Sequence, residues 1–242
     1  MKKELKRQMK QDDFASGLER GAAWLGAHWS EVRTTGIVLA VVVVGAAGLA
    51  YMQSERGRQA EQAFAEALDT FEAPVASELP EGFEQPAGPV YATAQEKYTK
   101  AVAAFDGLER RFGSHPLAVR ARYFGALGRI ELGQRAEAEK ALTELAARGG
   151  GLEPALARLA LADLNRRQGE IDKAIEGYRQ LAGDEQAPVP RDHALMSLAR
   201  ACEDARRLTE ARASYRKLYE EFPESVYAGE ARRRASFLES AG

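Results

Sequence analysis

A motif of three residues recurs four times along residues 91–223 at a nearly constant interval. It consists of an alanine, a bulky apolar residue four positions later, and a leucine three positions after that. The copies are Ala101/Phe105/Leu108, Ala138/Leu142/Leu145, Ala174/Tyr178/Leu181 and Ala211/Tyr215/Leu218. Spacings of four and three place the side chains on one face of a helix. Successive alanines are 37, 36 and 37 residues apart, and such a period indicates stacked helical units that bury their apolar faces against one another.

The alanine is the unusual member of this motif, because a buried helix face normally carries larger side chains. We expect it to mark the point where two antiparallel helices of one unit cross most closely, since only a small side chain permits that approach. The bulky residue and the leucine then fill the space toward the adjoining helix.

The spacing resembles that of the tetratricopeptide repeat, a helix-turn-helix unit of about 34 residues. In that family a small residue precedes the alanine by twelve positions and a glycine lies in the turn five positions before it. The matching residues are Ala126, Ala162, Ala199, Gly133 and Gly169, with Arg206 in the last turn instead of glycine. The resemblance implies an all-α helical-repeat (α-solenoid) domain over residues 91–240, with a capping helix at 226–240.

Residues 36–52 form an uncharged run rich in valine, alanine and leucine. A helix of this length spans about 26 Å, close to the roughly 30 Å thickness of the hydrocarbon layer. The run has no polar stripe, whereas a buried core helix usually keeps one. We therefore expect a single transmembrane helix that contacts the lipid bilayer through residues 36–52.

Basic residues are concentrated on one side of this run. Seven precede it and only Arg56 and Arg58 follow closely, so residues 1–35 are expected in the cytoplasm and the C-terminal part in the periplasm, with the anchor in a bacterial inner membrane. A cleaved signal peptide is the alternative, because Gly48 and Ala50 form a small-x-small pattern. The long charged segment before the run argues against cleavage.

Two further segments connect the predicted anchor to the predicted repeats. Residues 53–72 carry apolar side chains at helical spacing and are expected to continue the helix outward. Residues 73–90 contain Pro74, Pro80, Pro86 and Pro89 together with acidic residues and glycines. That composition predicts a Pro-rich loop without a core of its own.

Composition and motifs exclude several classes of function. The formal net charge of −2 gives no basis for nucleic-acid binding. The single Cys202 excludes an internal disulfide and a zinc site built on cysteines. His28, His115 and His193 lack the spacing of metal ligands, and no glycine-rich phosphate loop is present. Carboxylates alternate with basic residues, as on solvated helix faces. We expect no enzyme activity, cofactor, metal or small-molecule substrate.

Binding through the surface of the repeats is the remaining prediction. The resemblance implies that the first helix of each unit lines a groove for a peptide or protein. The implied positions are Arg120, Tyr123, Leu127, Ile130, Leu156, Leu159, Asp163, Arg166, His193, Ser197, Arg200 and Glu203. Their mixed character favours peptide-like ligands. The alternative for each residue is a solvated or internally paired side chain.

The order of segments resembles that of the YfgM-like ancillary subunits of the Sec translocon. This resemblance implies the translocon, a periplasmic chaperone or client polypeptides as partners. Scaffolds of the Tol-Pal type, or of outer-membrane biogenesis and cell division, have similar repeats and are the main alternative. A helper of redox or cytochrome maturation is a third.

Overall fold

The computed structural model describes residues 29–79 and 88–240, with the backbone alone at 29–43 and at position 47. It separates into two compact units, Met1–Gly57 and Arg58–Gly242. The described residues are helical apart from turns and one isolated bridge. The helices are α1 (Trp29–Glu72), α2 (Ala94–Phe112), α3 (Pro116–Glu131), α4 (Arg135–Ala146), α5 (Leu152–Arg167), α6 (Ile171–Gly183), α7 (Arg191–Asp204), α8 (Leu208–Glu221) and α9 (Ala228–Ser240).

From α2 onward, each helix packs against the next one along the chain, and α3 also contacts α5. Short turns join α3 to α4, α5 to α6 and α7 to α8. These pairs are the helix-turn-helix units that the spacing predicts, with α3, α5 and α7 as first helices and α4, α6 and α8 as second helices. The predicted all-α, tetratricopeptide-like class is confirmed for this unit.

All twelve residues of the recurring motif are buried, and none is more than 3% exposed. Small residues lie at the close crossing of one helix pair. In the pair α5 and α6, a Cβ atom placed on Gly177 would lie only 3.0 Å from the Cβ of Ala162. Small residues are therefore needed on both helices of that crossing.

The turn between first and second helices has the same backbone conformation in all three units. Gly133, Gly169 and Arg206 have φ values of 73°, 81° and 60°. In each case the following N–H donates to the carbonyl five residues earlier, at 2.8–2.9 Å. This is the Schellman arrangement that ends a helix and strongly favours glycine. Arg206 adopts it without being glycine.

The repeat-bearing unit begins earlier than the predicted boundary at residue 91. Ala60 and Ala67 of α1 are fully buried in one cluster with Ala101 and Phe105 of α2. Residues 58–72 therefore serve as the first helix that partners α2. The long connection 73–93 separates the two helices and hides their pairing from a search for a fixed period.

The ends of this connection are tied to the core. The Ala76 N–H donates to the Tyr91 carbonyl at 2.9 Å, and the Tyr91 N–H donates to the Pro74 carbonyl at 3.1 Å. Val75 between them is 2% exposed. The Pro-rich stretch thus contributes a buried residue at its base, while residues 80–87 lie outside the described residues.

Among the side chains that the structure describes, no helix combines the length and the apolar character that a membrane crossing requires. The span predicted at 36–52 falls within α1, but its side chains at 36–43 and at position 47 lie outside that description. The span is not confirmed. Of the predicted cytoplasmic segment 1–35, residues 1–28 lie outside the described residues, and only the backbone of 29–35 is described.

Candidate functional site

All twelve residues of the predicted groove lie on the first helices α3, α5 and α7. Three arginines, Arg120, Arg166 and Arg200, are exposed, and the other nine residues are half-buried. Spacings of three and four residues keep them on one face of each helix. We call this set the first-helix face.

Five members of the first-helix face meet at one cavity of about 260 Å³ between α3 and α5. Two aromatic residues from outside the predicted set complete its wall, one from α1 and one from α2. The lining consists of Phe71, Tyr98, Tyr123, Leu127, Ile130, Glu131, Leu159, Ala160, Asp163, Leu164 and Arg167. We call it the α3–α5 cavity. Phe71 was missed because α1 was not predicted to belong to the repeats, and Tyr98 was missed because only first helices were predicted to line the groove.

The aromatic side of the α3–α5 cavity is built from edge-to-face ring contacts. The ring centroid of Phe71 lies 5.5 Å from that of Tyr98 and 5.6 Å from that of Phe124. Tyr123 lies 5.5 Å from the same Phe124 ring. Gly128 permits the close approach of α2, because a Cβ there would lie only 2.7 Å from Val102 Cγ2. Such contacts hold the rings in defined positions.

The polar side of the cavity carries two acids and one base. The Tyr178 hydroxyl donates to Asp163 Oδ1 at 2.5 Å, and Arg167 lies 3.9 Å from Glu131. Burial, together with the charge of Asp163, raises the pKa of Tyr123. Burial and the hydrogen bond to Asp163 also raise the pKa of Tyr178. Both phenols therefore stay neutral at physiological pH, and the lining keeps a net charge of −1.

The other charged members of the first-helix face are engaged in ion pairs. The pairs are Arg120 with Glu153 at 2.8 Å, Arg166 with Asp204 at 3.5 Å, Arg200 with Glu230 at 2.9 Å and Glu203 with Arg234 at 2.6 Å. Each pair joins one first helix to the next, and α9 occupies the position that follows α7. The hydrogen bond from Arg120 lowers the pKa of Glu153. These four residues therefore form ion pairs within the chain, which is the alternative to ligand binding given in the sequence analysis.

The last three predicted residues lie apart from the cavity. His193 lies beside Tyr227, with 5.9 Å between the ring centroids, while Leu156 and Ser197 are half-buried.

His115 and Cys202, whose side chains could act as a metal ligand or a nucleophile, have structural roles. His115 is the N-cap of α3 and accepts a hydrogen bond from the Leu117 N–H at 3.3 Å. Cys202 is 1% exposed, and burial raises the pKa of its thiol, which disfavours the reactive thiolate. Within 29–79 and 88–240, no three potential metal ligands are grouped together. His28 lies outside those ranges.

Comparison with family models agrees with this geometry. Residues 22–194 match the model of the tetratricopeptide repeat-like domain, and residues 178–226 match that of the tetratricopeptide repeat. The first match covers well over half of the chain. The protein is thus a helical-repeat protein, of a class that generally serves as a non-catalytic scaffold for protein interaction. It belongs to the tetratricopeptide repeat-like domain family.

Comparison with solved structures finds matches of low sequence identity. A tetratricopeptide repeat protein of Parabacteroides merdae ATCC 43184 is 16% identical, with a TM-score of 0.49, over 61% of this chain and 56% of its own. The chain thus spans about half of that relative. Nearly identical TPR-like repeats from Podosopora anserina, named as kinesin light chain, are 16% identical with a TM-score of 0.49, over 61% of this chain and 80% of their own. Comparison with curated proteins finds no match.

Proposed function

We propose that this protein is a membrane-anchored periplasmic scaffold that binds other proteins through its first-helix face, ancillary to the Sec translocon and periplasmic chaperones. The observation that carries the binding role is the α3–α5 cavity, where five predicted groove residues converge beside two aromatic residues. Stacked helical repeats offer extended surfaces for polypeptides. The family match supports the same role.

The membrane anchor in this proposal rests on residues 36–52. The run is uncharged, and seven basic residues precede it whereas only Arg56 and Arg58 follow closely. The family model begins at residue 22, so the run belongs to the matched region. Among its described side chains, Val44, Leu49, Tyr51 and Met52 are 55–71% exposed, and clustered exposed apolar residues favour contact with a membrane or partner.

The topology can be tested with a reporter fused after Gly242. We expect activity only outside the cytoplasm, since the basic residues should keep the N-terminus inside. Mass spectrometry of the intact protein should also find the N-terminal peptide retained. A soluble mature form that begins near Tyr51 would rule out the anchor and indicate a cleaved signal peptide.

The association with the translocon rests on the order of the segments along the chain and has a direct test. Crosslinking in native membranes followed by co-purification should recover translocon subunits or periplasmic chaperones. Recovery of Tol-Pal or outer-membrane biogenesis components instead would assign the scaffold to envelope assembly. Neither outcome changes the expectation that partners bind at the first-helix face.

A further inference from the structure

We propose that the α3–α5 cavity anchors one bulky apolar side chain of an extended polypeptide and that Asp163 selects a lysine or arginine next to it. The inference rests on the proposed function, because it specifies what the first-helix face recognises. It assigns specificity to the cavity between α3 and α5 rather than to the whole first-helix face.

The size of the cavity favours a single side chain. Pockets for drug-sized ligands and cofactors measure roughly 300–1,000 Å³, and the α3–α5 cavity measures about 260 Å³. A large aromatic or aliphatic side chain in a small, well-packed pocket is the common anchor of protein interfaces.

Two positions of the cavity wall are apolar on α3 but not on the later first helices α5 and α7. Leu127 and Ile130 of α3 contribute to the wall. In the register of 36 and 37 residues, Leu127 corresponds to Asp163 and Arg200 in the later units, and Ile130 corresponds to Arg166 and Glu203. The later positions carry polar or charged groups, so among α3, α5 and α7 these two positions are apolar only on α3. All of the large apolar residues in the wall except Leu164 remain half-buried, so an incoming side chain can reach them.

The charge of the cavity points to a basic neighbour. Asp163 accepts a hydrogen bond from Tyr178, a neutral group, and forms no ion pair with a described residue. The nearby Arg166 pairs with Asp204 on the next first helix. In this partly desolvated site a lysine or arginine beside the anchor would complement Asp163, whereas an acidic residue would be repelled.

The test uses the full-length protein in detergent micelles and three labelled, end-blocked peptides in a glycine-serine background. The first peptide contains phenylalanine followed by lysine, the second alanine followed by lysine, and the third phenylalanine followed by glutamate. Fluorescence anisotropy gives the three affinities. We expect the first peptide to bind at least about tenfold more tightly than either of the others, because each of the others lacks one of the two recognised groups.

Asp163→Asn removes the negative charge but should preserve the fold, because asparagine can still accept the Tyr178 hydrogen bond. In this variant the lysine and glutamate peptides should bind within about twofold of each other. Asp184→Asn is the matched control, since it makes the same change at an exposed residue outside the cavity, where asparagine can still accept the Gln186 N–H hydrogen bond, and it should keep the preference for lysine. Equal binding of all three peptides by the wild-type protein, no binding, or an unchanged preference in Asp163→Asn would overturn the inference.

Failure of this inference can be told apart from failure of the proposed function. If the peptides do not discriminate but native partners still crosslink to the first-helix face, the scaffold role stands and the assigned specificity is wrong. If native partners crosslink only elsewhere, the proposed function is wrong as well.

Discussion

At the scale of single residues, the turns between first and second helices show how strongly the backbone constrains the sequence. Gly133 and Gly169 occupy left-handed positions that glycine adopts without strain. Arg206 occupies the corresponding position with φ of 60°, although a side chain there costs roughly 1–2 kcal/mol. The period of the repeats identifies all three positions from sequence, but the sequence alone did not show that Arg206 keeps the glycine conformation.

Replacing Arg206 with glycine should therefore stabilise the protein. We expect Arg206→Gly to raise the free energy of unfolding by about 0.5–1 kcal/mol, because the relieved strain exceeds the entropy that glycine adds to the unfolded chain. Gly169→Ala should lower it by a similar amount. Urea denaturation measures both, and a destabilised Arg206→Gly variant would show that the arginine side chain contributes more than its backbone costs.

Tyr215 should make the stability of the repeats sensitive to alkaline pH. Burial, together with the charge of Glu203, raises the pKa of Tyr215 to about 12, above the value of about 10 for an unfolded tyrosine. Between these values the folded state holds a proton that the unfolded state has lost, so stability is complete below pH 10 and falls as pH rises toward 12. The total change is about 3 kcal/mol.

Tyr215→Phe should remove that part of the pH dependence while costing about 1 kcal/mol at neutral pH through the lost hydrogen bond to Glu203. Denaturation curves at several alkaline pH values measure the dependence, and tyrosinate absorbance follows the titration. The same alkaline loss in Tyr215→Phe and wild type would assign it to other groups.

At the scale of helices, close crossings decide which alanines can be replaced. Ala138 is fully buried on α4, whereas Ala136 on the same helix is exposed. Ala138→Leu should overpack the core and lower the free energy of unfolding by about 1–3 kcal/mol, and Ala136→Leu should change it by less than about 0.5 kcal/mol. Thermal denaturation compares the pair. Equal effects would mean that the register of the repeats is wrong.

The second helices could be predicted because their motif has a fixed period and its members have one environment, the core. The partner of α2 could not, because residues 73–93 intervene between it and the end of α1. The ion pairs between first helices were also hidden, since their partners lie about 30–38 residues apart among many other charges. Sequence spacing predicts which side chains share a helix face, but contacts between faces depend on how the helices stack.

At the scale of the whole repeat-bearing unit, ion pairs link each first helix from α3 onward to the next, whereas the apolar cavity described above lies between α3 and α5. Arg120 and Glu153 join α3 to α5 beside that cavity, and further exposed ion pairs link α5 to α7 and α7 to α9. Exposed pairs contribute little stability each, and in stacked repeats each unit is stabilised mainly by its neighbours. In this account the interval between α3 and α5 carries the binding role, and the later units act chiefly as support.

Site-specific photocrosslinking in native membranes tests that claim most directly. A photoreactive amino acid at position 159, in the α3–α5 cavity, should form adducts with other proteins. The same group in place of Lys140, an exposed residue of second helix α4, should form few. Adducts at position 140 with none at position 159 would contradict the account, because partners would then bind the second helices and leave the first-helix face free.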